Sequence, residues 1–138
     1  MKLEWAMLAN HAETLSGLAY VSGGGIDTVN VPSLPAQFVG AIAIRFGLHP
    51  SEIDRQHVIE MRIVAEDGET VITLNGQLQP VARNPDMPIG WFYPAVLSFN
   101  IAGLRLPRVG QYSVDILADG VHVASLPLRV KLIEQAPG

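Results

Sequence analysis

Apolar and polar positions alternate most cleanly in the last third of the chain. Tyr112, Val114, Ile116 and Ala118 interleave with Gln111, Ser113, Asp115 and Leu117, the period of two of a half-buried strand. Asp119-Gly120 follows, a pair that accepts the positive φ angles of a type I′ hairpin turn, and Val121 to Leu132 returns as the second strand. Along that return the inward set changes from Val121 and Val123 to Leu126, Leu128, Val130 and Leu132, which calls for a bulge near Ala124-Ser125. Gly110-Gln111-Tyr112-Ser113-Val114, entering the first strand of the hairpin, has the form of a tyrosine corner, in which the hydroxyl bonds nearby backbone.

Upstream, the pattern is less regular. Leu3 to Ala9 suits a buried strand or the first turns of a helix, and Leu18 to Ser22 reads as a short strand ended by Gly23-Gly24-Gly25. Val31-Pro32-Ser33-Leu34-Pro35 reads as an edge or connection, because proline donates no ladder bond. From Phe38 to Phe46, Phe38, Ile42, Ile44 and Phe46 share one face, while Val39, Ala41 and Ala43 make the other face small and apolar. That calls for a strand that is central or covered. His49 to Gln56 is a polar connection. Val58 to Ala65 points Ile59, Met61 and Ile63 inward, Asp67-Gly68 turns the chain, Thr70 to Leu74 is a strand, and Asn75-Gly76 marks a further hairpin. Pro80 to Pro94 is irregular, Ala95 to Ile101 resumes strand character, and Glu134 to Gly138 is a tail.

Roughly eight short strands separated by Gly, Pro and Asx turns predict an all-β fold over a single domain, residues 1–138. The expected form is an antiparallel immunoglobulin-like sandwich, with a small closed β-barrel as the alternative.

Several stretches, taken in order, resemble a small bacterial family of proteins of unknown function. They are Gly17-Leu18-Ala19-Tyr20-Val21-Ser22-Gly23-Gly24-Gly25-Ile26-Asp27, the apolar strand Ala41 to Phe46, and Arg55-Gln56-His57 through Asp67-Gly68. The last runs from Leu104-Arg105-Leu106-Pro107 through Gly110-Gln111-Tyr112 to Leu126-Pro127-Leu128-Arg129-Val130. The resemblance implies an immunoglobulin-like β-sandwich and brings no activity, cofactor or site with it. The segment from Pro85 to Pro94 lies outside the shared pattern, which makes it the place to look for what is specific to this chain.

Composition narrows the partners. Charged residues are 16% of the chain and hydrophobic ones 49%, so the surface is short of charge; a homo-oligomer or a protein partner would cover it, and a thick sandwich with large internal loops would account for it too. A net charge of −4 with scattered basic residues points away from nucleic acid. Only Lys2 and Lys131 are lysines, and no long apolar run occurs, so neither a polybasic membrane patch nor a membrane span is expected. The absence of cysteine fits a cytoplasmic protein and removes thiolate chemistry.

Candidate chemistry is sparse, and the expectation is a protein that is not an enzyme and carries no cofactor or metal. Gly23-Gly24-Gly25 lacks the lysine of a phosphate loop and reads as a tight turn. Of His11, His49, His57 and His122, His57 lies three residues from Glu60 and His11 two from Glu13, but a metal needs about three convergent ligands, and polar or hydrogen-bonding roles suit them. Glu52-x-Asp54 and Glu66-Asp67-Gly68-Glu69 read as loop and turn, short of the oxygens calcium needs. No nucleophile elbow is present.

The segment that stands out is Asn84-Pro85-Asp86-Met87-Pro88-Ile89-Gly90-Trp91-Phe92-Tyr93-Pro94, where three of nine aromatics stand in a row. Met87, Ile89, Trp91, Phe92 and Tyr93 are the candidate interface or ligand-binding residues. Consecutive extended aromatics cannot all enter one core, and Trp and Tyr anchor interfaces or stack on sugars. The segment is therefore read as a plug for one end of the sandwich, a protein interface or a small-ligand platform. The function expected is a non-catalytic, self-associating or partner-binding module; the alternative is a small-molecule or carbohydrate-binding domain using residues 85–94.

Overall fold

A computed structural model describes residues 1–133; the tail expected over Glu134 to Gly138 lies outside the described residues. Ten strands follow in chain order: β1 (Lys2–Ala9), β2 (His11–Leu15), β3 (Leu18–Ser22), β4 (Thr28–Val31), β5 (Ala36–Leu48), β6 (His57–Ala65), β7 (Thr70–Leu78), β8 (Tyr93–Leu106), β9 (Gly110–Ala118) and β10 (Val121–Leu132). The fold is all-β, as the alternation predicts. The strands form three separate sheets, of order β1-β5-β8, β4-β10-β9-β6-β7 and β2-β3, so no barrel closes.

The first two sheets share one core. Ile42, Ile44 and Phe46 of β5 meet Ile59, Met61 and Ile63 of β6 and Val114 and Ile116 of β9, all fully buried. Burying such side chains is the main source of stability, about 1.5–3 kcal/mol each before chain entropy is subtracted. The hairpin of β9 and β10 turns at Asp119 (φ 49°) and Gly120 (φ 79°), the two positive angles of the expected turn. Tyr112 is buried, and its hydroxyl donates to the Arg108 carbonyl at 2.7 Å, as the corner reading requires. The bulge in β10 falls between His122 and Ala124, one residue ahead of the expected place, and leaves Val121 exposed instead of inward.

The small face of β5 is covered by the chain itself at Ala41 and Ala43, while Val39 stays exposed. The β2–β3 hairpin lies over it, burying Ala12 against Ala41 and Ala43 and setting the Thr14 hydroxyl 3.1 Å from Ser98 Oγ. Alanines occupy that face because a third layer packs directly on it.

Of the two readings of Leu3 to Ala9 the strand holds, paired to β5. Two expectations need correction. The sandwich is not wholly antiparallel: β4, of which only Val31 falls in the stretch read as an edge or connection, is an edge strand that runs parallel to β10. Asn75-Gly76 is no turn, since β7 continues straight through it to Leu78, paired with β6. Gly76 serves packing instead; the Phe99 ring lies against its backbone, and a Cβ there would stand 2.7 Å from ring carbons.

Candidate functional site

The irregular segment between β7 and β8 is pinned at its base. Val81 N–H donates to the Ile53 carbonyl at 2.7 Å, and the Arg83 guanidinium reaches the Pro50 carbonyl at 3.2 Å, tying the segment to the 49–56 connection. Asn84 then organises the loop: its side-chain oxygen accepts Asp86 N–H at 2.9 Å, and its carbonyl accepts Met87 N–H at 3.1 Å. The Tyr93 hydroxyl accepts Asn84 N–H at 3.0 Å, while its ring is buried with Leu48 and Ile53 and Met87 packs on this cluster from outside.

The five candidate residues therefore separate into three roles. Tyr93 and Met87 plug the end of the sandwich. Phe92 is engaged by the chain itself, with the Lys2 ammonium 4.5 Å over its ring and the His49 ring edge-on at 5.8 Å. Ile89 and Trp91 project: Ile89 is 104% and Trp91 64% exposed. Beside them lies an open concavity of about 470 Å³, lined by Pro50, Arg83, Met87, Ile89, Trp91 and Tyr93 among others. One face of Phe92 is thus covered from within the chain by Lys2.

A second polar feature sits on the other side of the 49–56 connection. His57, at the start of β6, is 1% exposed. Its Nδ1–H donates to Asp119 Oδ2 at 2.6 Å and its Nε2–H to the Glu52 carbonyl at 2.7 Å. A carbonyl only accepts, so with a carboxylate on the other nitrogen the ring carries both protons as an imidazolium. Burial alone would push the imidazole down, but the Asp119 and Glu52 hydrogen bonds outweigh it and hold it above its ordinary value. Burial likewise works against Asp119, whose carboxyl nonetheless lies below its ordinary value because His57 and Val58 N–H bond to it.

The remaining histidines do not converge. His49 pairs with Ser51 Oγ at 2.8 Å, His122 with Ser125 Oγ at 2.8 Å, and His11 is exposed on β2. Among the described residues, no group of three His, Asp or Glu side chains is placed to hold a metal. Gly23-Gly24-Gly25 bends the chain after β3, with Gly25 N–H donating to the Leu8 carbonyl. The sequence reading placed His57 in a polar or hydrogen-bonding role without foreseeing its burial; the signal lay in Asp119-Gly120, 62 residues away. No described helix is long and apolar enough to cross a membrane.

No curated protein matches the sequence. Among solved structures, the chain is similar to the Pseudomonas fluorescens alkylpurine DNA glycosylase AlkC bound to DNA containing an abasic site analog. The identity is 13% and the TM-score 0.40; the match covers 91% of this chain and 30% of that one. A likeness that weak sets neither fold nor function. The family evidence is direct: residues 4–131 match the model described as "Family of unknown function (DUF6941)", and the chain belongs to that family.

Proposed function

We propose that this protein is a non-catalytic β-sandwich module of the bacterial cytoplasm that binds a protein partner through Ile89 and Trp91. One observation carries the reading: two large apolar side chains are held out into solvent by a loop whose base is bonded in place. A loop that ordered itself only to bury its own aromatics would take Trp91 in with Tyr93. Trp and Ile presented on a rigid base lose little entropy on binding and supply the buried centre of an interface. The test compares proteins retained from a bacterial lysate by immobilised wild type, Trp91→Ala and Ile89→Ser at equal loading. A protein held by wild type and lost with both variants supports the reading; identical retention by all three sinks it.

The concavity beside Trp91 favours a second reading, a site for a small ligand such as a glycan, with the indole as platform and Arg83 and Asn84 as polar contacts. In a Trp5→Phe background Trp91 is the sole indole, and its emission reports directly. A saturable change on adding oligosaccharides favours this reading, and a flat titration removes it.

A further inference from the structure

Two long edges of the sandwich lie on one side of the molecule. β7 ends the five-stranded sheet, β8 ends the three-stranded sheet, and they meet where Phe99 covers Gly76. Among the described residues neither has a strand on its outer side. Thr70 to Leu78 contains no charge and no proline, and Tyr93 to Leu104 contains no charge. Along this seam the core is not sealed: Ile72, Leu74, Leu97 and Phe99 pack on it yet stay partly exposed, whereas Met61, Ile63, Val114 and Ile116 of the central strands are fully buried.

Sheet edges are normally blunted by charge, proline, bulges or shortness, because bare N–H and C=O groups template another strand. The other edges here use those devices. β4 has only four residues, β1 carries Lys2 and Glu4 with a register shift between Leu3 and Trp5, and β8 has Pro94 as its second residue. β7 has one irregularity at its start, opposite Ile63 and Val64, and then runs regularly from Ile72 to Leu78.

We propose that β7 is a self-association edge: a second copy of this chain pairs its own β7 antiparallel about a two-fold axis, joining two five-stranded sheets into one. Charge identifies the occupant. A chain of net charge −4 repels its own copy over most of its surface, but an uncharged strand meeting itself sets no like charges together. A two-fold axis at Leu74 places Thr73 opposite Asn75 of the second copy and Ile72 opposite its Gly76, so core-facing and solvent-facing positions stay in phase. The same contact covers Leu74 and the open side of Phe99. This surface is separate from Ile89 and Trp91, so either can fail without the other.

The experiment is sedimentation across a dilution series with charge pairs on the exposed face of β7. Wild type is expected at twice the chain mass at tens of micromolar, Thr73→Lys with Asn75→Lys at the chain mass, and Thr73→Glu with Asn75→Glu likewise. An equimolar mixture of the two variants is expected to recover the doubled mass, since each Lys then faces a Glu. A wild-type monomer at every concentration overturns the proposal. So does a lysine variant that keeps the doubled mass, or a doubled mass lost on Trp91→Ala alone. Should the variants not fold, amide exchange on wild type decides: β7 amides whose protection is unchanged by dilution overturn the edge, and protection that falls with dilution upholds it.

Discussion

The 49–56 connection separates two regions built on opposite principles. On one side His57, Asp119, Val58 and the Glu52 carbonyl close on one another, with Asp119 reaching His57 and Val58 across 62 and 61 residues. On the other, the loop from Gln79 to Phe92 is tied to the connection at its base by Val81 and Arg83, turns on short-range bonds around Asn84, and leaves Ile89 and Trp91 bare. The first region has its buried His57 ring bonded on both nitrogens within the chain. The second leaves apolar surface that the fold does not use, and the proposed binding role rests on that contrast.

The sharpest break is at Tyr93, which belongs to both principles because it plugs the core and anchors the loop. Tyr93→Ala removes a buried ring from Leu48 and Ile53 and strips Asn84 N–H of its partner, and should cost about 3–4 kcal/mol in a denaturant titration. A loss below about 1 kcal/mol would show that the loop, not the ring, holds that end together.

Next in size is the polar corner. Asp119→Ala leaves the buried His57 facing an empty place and Val58 N–H unbonded. The Asp119 side chain is 44% exposed, so water takes up part of the loss, and about 2 kcal/mol is expected by urea unfolding. The pH dependence refines the same point. His57 lies above 6.5 when folded, so its share of stability is complete below the unfolded value near 6.5 and is lost as pH rises through the folded one. Asp119 lies below 3.8, so its share is present above 3.8 and lost as pH falls through the folded value. The corner is therefore strongest between those ordinary values. Wild type should lose more stability than His57→Gln between pH 6 and pH 9, and parallel losses would mean the ring is not an imidazolium.

What the sequence could reveal follows the same division. The β9–β10 hairpin, the Tyr112 corner and the inward face of β6 were legible because period and turn chemistry lie within a few residues. Asn75-Gly76 misled because its glycine answers to Phe99, on a strand of the other sheet. The β4–β10 pairing joins Thr28 to Arg129, a parallel contact that no local pattern announces. The β2–β3 hairpin left a signal in the alternation His11, Glu13, Leu15 and in Ser16-Gly17, both with positive φ, which the apolar pattern alone passes over. At the loop, composition singled out the right stretch, yet only the folded chain divides it into Tyr93 and Met87 inside, Phe92 engaged and Ile89 and Trp91 outside.

The smallest effect is the most telling. Trp91→Ala and Ile89→Ser should each leave the unfolding midpoint within about 0.5 kcal/mol of wild type, because both side chains are exposed and neither is among the buried side chains of the cluster that Tyr93 anchors. A tryptophan is a costly residue to leave in water, since it exposes apolar area the fold gains nothing from. If its removal does not move stability, its place cannot be ascribed to the core, and the surface it presents is free for a partner. If the midpoint instead drops by as much as for Tyr93→Ala, Trp91 is part of the plug. The contrast between a closed corner and an open loop then collapses into one continuous end-cap.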